Sequence, residues 1–375
     1  MDNVKGPKTQ RKERETNIEL LRVLCMFGIV AHHAVVHGGG LSLTWGGKAI
    51  FASLIVPAGK IGFTCFLAIS MWFLCDSAFK GKRFIATWLE VLFYTVIMTA
   101  VAAFCGTPVT TGEWIGSFMP IGGISHGFAA TYLVVYLLLP LLARVSEGMT
   151  RSQVFWVVVL LAYCQILEGI LGIFGVTIPS LHPFSSEIIL FVLFFFMLLY
   201  LKKWPIAVTS SKIALLAIVA FVWAICTFSV AAPIAMPGSE LAQSALLISA
   251  INPGENGIFN TVGGMALFFL FKQLKVPHSK LINRIASCTF GVLLFHDHNV
   301  CRPAFWSQII PGGMAAIWAL PGLTAMVGVI LVSIAIFAVG CAFDLLRQII
   351  QKGLAQTDSY AKVCTCIDRV WSHEA

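Results

Sequence analysis

Run after run of about twenty apolar residues, separated by short polar segments, constrains this chain more than any other feature. A membrane span needs about 20 mostly apolar residues. On that ruler ten stretches qualify: 18–38, 57–79, 84–105, 127–143, 153–176, 187–201, 213–232, 256–273, 285–303 and 316–343. The segment 41–56 reads as an interfacial helix ahead of the second span. Only 11% of the 375 residues are charged and 58% are apolar, against about 25% charged in soluble domains. Mean hydropathy is +0.88. A soluble fold cannot hide that much apolar surface. The expected fold class is all-α, a polytopic membrane bundle of about ten transmembrane helices in a lipid bilayer.

Charge gives that bundle an orientation. With the N-terminus inside, 22 of the 25 lysines and arginines fall on the N-terminal arm, the inner loops and the C-terminal tail. Only Lys48, Lys60 and Arg302 fall outside. That asymmetry predicts cytoplasmic N- and C-termini. It also explains the net charge of +8 without nucleic acid as a partner. The chain divides into a basic arm at 1–17, a transmembrane domain at 18–343 and a cytoplasmic tail at 344–375. The basic arm lacks a small-residue cleavage site, so no cleavable signal peptide is expected. The eleven cysteines are scattered, mostly inside apolar runs, where cysteine behaves as a small apolar residue. Cys364 and Cys366 form a lone C-x-C, too little for a zinc site, and no metal is expected.

Ionisable residues inside spans are costly and mark function by default. The first span carries the densest set: Asn17, Glu19, Arg22, His32, His33 and His37. Arg22 and His33 stand ~16 Å apart along a helix and only ~20° apart around it. His37 shares that face, and His32 is turned ~100° away. One polar stripe therefore links the two sides of the membrane. In the ninth span, His296 sits at about the depth of His33, with Asp297 and His298 beside it and Arg302 closing the span. Two histidines at matched depth can face one cavity, and a neighbouring carboxylate orients a histidine and stabilises its charged form.

Each of these residues also has a plainer reading. Arg22 serves as an interfacial anchor, His33 as a buried histidine bonding a neighbouring helix, and Lys60 as a snorkelling anchor at the outer start of the second span. Lys80, Lys82 and Arg83 form a topology signal that also suits an anionic cytosolic ligand. Glu90 and Glu168 lie within spans with no nameable partner, and His126 and His182 read as loop residues. Nucleotide-loop, dinucleotide, zincin and nucleophile-elbow patterns are absent. No internal repeat is visible, which counts against a transporter or flippase of a glycolipid or small envelope metabolite, the rival use of the same stripe.

Taken together, these segments resemble the integral-membrane acyltransferase 3 family of bacteria. The family's Arg-x10-His motif is matched by Arg22 and His33 in NIELLRVLCMFGIVAHH. FLAISMWFL followed by FKGKRF, ATYLVVYLLLPLLARV, and TFGVLLFHDH followed by RPAFW are similar to its later segments, in the family's order. Met71 stands where the family usually has glycine, and Leu294 where it has tyrosine. The outer loops are short and no hydrolase-like domain follows the last span, so the chain resembles the stand-alone membrane form.

The resemblance implies transfer of an acyl group, acetyl by default, from cytoplasmic acyl-CoA to a hydroxyl of an envelope carbohydrate or lipid-linked glycan, at the bacterial cytoplasmic membrane. It implies His33 as general base or transient acyl carrier, supported by His296 and Asp297. Arg22, with Lys82 and Arg83, would hold the CoA diphosphate, and Lys60 and Arg302 would meet the acceptor.

Overall fold

The computed structural model describes residues 14–123, 127–176, 186–252, 254, 257–310 and 312–371, the side chains of Glu168 and Ile309 excepted. His126, His182 and most of the basic arm lie outside the described residues. The helices are α1 (Thr16–Val36), α2 (Gly47–Leu74), α3 (Gly81–Phe104), α4 (Thr111–Ser117), α5 (Gly127–Glu147), α6 (Arg151–Ile173), α7 (Glu187–Lys203) and α8 (Lys212–Ala235). They continue with α9 (Glu240–Ile251), α10 (Ile258–Lys272), α11 (Lys280–Ala286), α12 (Thr289–His296), α13 (Arg302–Ala304), α14 (Gly313–Ala319), α15 (Gly322–Leu354) and α16 (Asp358–Trp371). Among the described residues there is no strand.

Helix starts follow local chemistry. Thr110 with Glu113, and Thr150 with Gln153, form reciprocal caps that satisfy the first free amides of α4 and α6. Ser211, Ser239 and Ser279 cap α8, α9 and α11 through their hydroxyls.

Seven helices among the described residues are long and apolar enough to cross a membrane: α1, α2, α3, α5, α6, α8 and α15. Three of the ten expected spans take another form. The sixth is α7, of 17 residues, and the eighth is α10, of 15. Both are apolar around most of their circumference and buried against other helices, which is what an all-round apolar helix requires. The ninth is not one helix. It breaks into α11 and α12, and α12 stops at His296. Asp297, His298 and Asn299 follow, residues that favour helix ends over helix interiors.

Two boundaries also move. No separate interfacial helix covers 41–56; α2 begins at Gly47 and runs 28 residues through Pro57. The last long helix continues past 343 to Leu354.

The first helix sits at the centre of the bundle. α1 packs most extensively on α2 and also touches α10, α11, α12 and α15. Small residues permit the α1–α2 approach. A Cβ on Gly28 would meet the Ala58 carbonyl at 3.1 Å, one on Gly62 the Cys25 carbonyl at 3.0 Å, and one on Gly59 the His32 ring at 2.2 Å. Packing of this kind replaces the hydrophobic drive that helices lack in lipid. Asn17 completes the centre by donating its side-chain amide to the last carbonyls of α10, Phe271 at 3.1 Å and Lys272 at 3.4 Å.

Candidate active site

Two clusters occupy the two ends of α1, and the hydrogen bonds of one of them fix a tautomer. At the far end of the helix, the His296 Nδ1 lies 2.6 Å from the Val292 carbonyl. A carbonyl only accepts, so Nδ1 carries the hydrogen, and the neutral ring holds its lone pair on Nε2. That Nε2 meets the Nδ1 of His33 at 3.0 Å, so His33 donates there. The His33 lone pair is thereby placed on Nε2, which lies 3.7 Å from Oδ2 of Asp297. The other oxygen of Asp297 accepts from Arg302 at 3.2 Å. Trp306 stands edge-on to His296 with ring centres 6.3 Å apart.

Burial grades through this cluster. His296 and Asp297 are enclosed, His33 is half-buried, and His37 is exposed, its ring centre 5.1 Å from that of His33. The cluster is thus reached from the surface past His37. Local sequence explains its shape: α12 ends at His296, the chain unwinds, and Cys301 donates its amide to Nδ1 of His298 at 3.3 Å. That turn carries the Asp297 carboxylate to His33. The Nδ1 of His32 donates to the Val56 carbonyl at 2.7 Å, between α1 and α2, and its ring centre lies 5.4 Å from that of His33. His33, His37 and Asp297 each offer a metal-ligating atom, all within 4.8 Å of one another.

At the basic end of α1 lies a cavity of about 210 Å³. Arg14, Arg22 and Arg83 line it, with Tyr132 and the hydroxyls of Ser70, Thr87, Ser287 and Thr289. Arg83 donates to the Tyr132 hydroxyl at 2.9 Å. The Arg22 guanidinium lies 6.0 Å from the centre of the Phe66 ring, and its Nε is enclosed with no hydrogen-bond partner among the described residues. An enclosed donor without a partner costs about 1–3 kcal/mol, more when charged. A bound anion would remove that cost, and three guanidinium groups around one cavity are the chemistry that holds phosphate oxygens.

The acyltransferase 3 family model, an acyltransferase domain, matches residues 15–343. The chain belongs to this acyltransferase family. No curated protein matches, and no solved structure matches.

In this acyltransferase, the residues singled out from sequence fall into three groups. His33, His296, Asp297 and Arg302 come together in one cluster. Arg22 and Arg83 share the cavity at the other end of α1, whereas Lys82 is exposed beside it and is not among its lining residues. Lys60 does not open its span: α2 starts thirteen residues earlier, so Lys60 is half-buried in mid-helix, next to the Gly59 that faces His32.

Sequence reasoning left Glu90 without a partner. The acyltransferase pairs it with Arg347 at 3.2 Å, and Arg347 also binds Asp344 at 2.7 Å. Tyr94 and Gln348 donate to the two oxygens of Asp344 at 3.1 Å and 2.7 Å. This buried knot joins α3 to α15 and reaches the arginine cavity through Gln348, which also donates to the carbonyl of Ser287 at 3.3 Å. A helical pattern continued past 343 would have shown Asp344 and Arg347 on one face of a span. Arg14 carried no such signal, and Tyr132 and Trp306, although they lie in the family-like segments ATYLVVYLLLPLLARV and RPAFW, are brought to the sites only by the packing of distant helices.

Proposed function

We propose that this acyltransferase moves an acyl group, acetyl by default, from acyl-CoA bound at the basic, cytoplasmic end of α1 to a hydroxyl of an envelope carbohydrate or lipid-linked glycan at its other end. One observation carries the reading: a single helix holds both an arginine-lined anion cavity and, ~16 Å further along, a histidine whose lone pair is set by its neighbours.

Arg22, Arg14 and Arg83 hold the diphosphate by charge-assisted hydrogen bonds. The extended pantetheine arm carries the thioester along the stripe towards His33. There the Nε2 of His33 takes the proton of the acceptor hydroxyl as its oxygen bonds to the acyl carbon. The C–S bond then breaks, and the departing CoA thiolate recovers that proton from the imidazolium. Asp297, 3.7 Å from Nε2, stabilises the imidazolium while it exists, and His296 keeps the ring in the tautomer that exposes the base. General-base assistance of this kind contributes about 10²–10⁴-fold.

The test is incubation of inverted membranes with labelled acetyl-CoA, comparing wild type with His33→Ala at matched expression. Label reaching envelope material in wild type, and falling by at least about 10²-fold in the variant, is expected. A His33→Ala protein that inserts normally and keeps full transfer would overturn the base assignment. No CoA-dependent label in wild type, with native envelope acceptor present, would overturn the reaction.

A further inference from the structure

The His33 cluster also has the build of a transition-metal site. We propose that His33 Nε2, His37 and Asp297 Oδ2 bind a zinc-class divalent cation at the mouth of the cluster, and that the bound ion blocks acyl transfer by occupying the base. The blocking half rests on the proposed reaction; the binding half does not.

Four observations carry the site. The first is ligand type and spacing. Two imidazoles one helical turn apart and a carboxylate from the turn after α12 offer atoms within 4.8 Å of one another, and the His33–Asp297 pair is already at 3.7 Å. Zinc bonds nitrogen and oxygen at ~2.0–2.2 Å, so ligand atoms around one tetrahedral ion stand a little over 3 Å apart. Small side-chain rotations close the difference.

The second is that outer partners are in place. A histidine bound to metal through one nitrogen usually donates its other N–H to a fixed acceptor. His33 donates Nδ1–H to His296, which is itself anchored on the Val292 carbonyl. The third is the carboxylate. Arg302 holds Oδ1 of Asp297 at 3.2 Å and leaves Oδ2 towards His33. The fourth is access, because His37 is exposed and a metal reaches the trio from the surface. Two imidazoles and one carboxylate suit Zn²⁺ better than Mg²⁺ or Ca²⁺, which prefer oxygen ligands alone.

One lone pair cannot serve two acids. While Nε2 of His33 is bonded to the metal it cannot accept the acceptor's proton, so the cation acts as a reversible inhibitor and not as a cofactor. His37, exposed and outside the proton-transfer chain, is the residue that separates the two roles.

The test uses the purified full chain in detergent, wild type and His37→Ala. Zinc titration against a chelating indicator, with cobalt as a spectroscopic stand-in, should show one tight ion per wild-type chain and a loss of affinity of about tenfold or more in the variant. Acyl transfer in chelator should be equal in the two proteins. Added Zn²⁺ should inhibit wild type, chelator should restore it, and the variant should need about tenfold more metal for the same inhibition. Equal zinc affinity in the two proteins overturns the site. Zinc binding at the trio that leaves transfer unchanged, or raises it, overturns the inhibition. If neither protein transfers acyl groups in chelator, the reaction falls, and the binding titration alone decides the site.

Discussion

A histidine whose Nδ1–H is committed is a different reagent from one free to exchange tautomers. His33 depends for that commitment on His296, which is completely enclosed and anchored on the Val292 carbonyl. Replacing His296 by alanine should therefore lower kcat by about 10²-fold or more and leave the KM for acyl-CoA unchanged, because the arginine cavity lies at the other end of α1. His296→Gln, whose side-chain oxygen can accept from Nδ1–H, should recover part of that loss. Steady-state kinetics on membranes at matched expression check both. Arg22 shows the opposite split. A lysine there keeps the charge but loses the planar fork that grips phosphate oxygens. Arg22→Lys should raise the KM for acyl-CoA by about tenfold, the worth of one charge-assisted hydrogen bond, with kcat little changed. A fall in kcat alone would place Arg22 in the chemistry and not in donor binding.

The helices hold these residues through close contacts that tolerate little. A methyl group on Gly59 would press into the His32 ring at 2.2 Å, so Gly59→Ala should cost about 1–3 kcal/mol of overpacking, read as a lower melting temperature in detergent. The buried knot between α3 and α15 makes a sharper comparison. Arg347 is the cation shared by Glu90 and Asp344. Arg347→Met strands two enclosed carboxylates and should cost about 3–5 kcal/mol. Glu90→Gln leaves the Asp344–Arg347 pair with its tyrosine and glutamine donors, and should cost under about 1 kcal/mol. Equal melting temperatures for the two variants would show that Arg347 is not the centre of the knot.

These elements also show which information a sequence holds. The Arg22–His33–His37 stripe is legible because all three lie on one uninterrupted helix, where spacing converts directly into angle and depth. The His33–His296 contact is half legible: matched depth follows from counting along two spans, but adjacency does not. The break after His296 follows from the local Asp297–His298–Asn299 run, whereas the start of α2 at Gly47 and the run of α15 to Leu354 are set by burial and by distant partners. Apolar run lengths carry no trace of either. Hence Glu90 reads as an orphan until α15 is seen to carry Arg347 past it.

The whole molecule is polarised: an arginine-lined cavity at one end of the central helix, the His33 cluster at the other. The proposed transfer from a cytoplasmic donor requires that the cavity face the cytoplasm. The distribution of basic residues predicts this, because the ten-span reading puts 22 of 25 on the side of the N-terminal arm. Two cysteines report on it. Cys366 is exposed on α16, which docks on the start of α3 through Asp368 and the Gly81 amide at 2.6 Å, and so marks the cavity end. Leu41 is exposed just beyond His37, and Leu41→Cys marks the other end. With a membrane-impermeant maleimide, Leu41→Cys in a Cys366→Ser background should label in intact cells, whereas the wild-type chain carries the Cys366 probe. Cys366 should label only once the inner face is opened or inverted. The reverse pattern would turn the arginine cavity away from the cytoplasmic acyl-CoA pool. His33 would then have no donor within reach, and the proposed direction of transfer would fail even if every distance in the cluster were right.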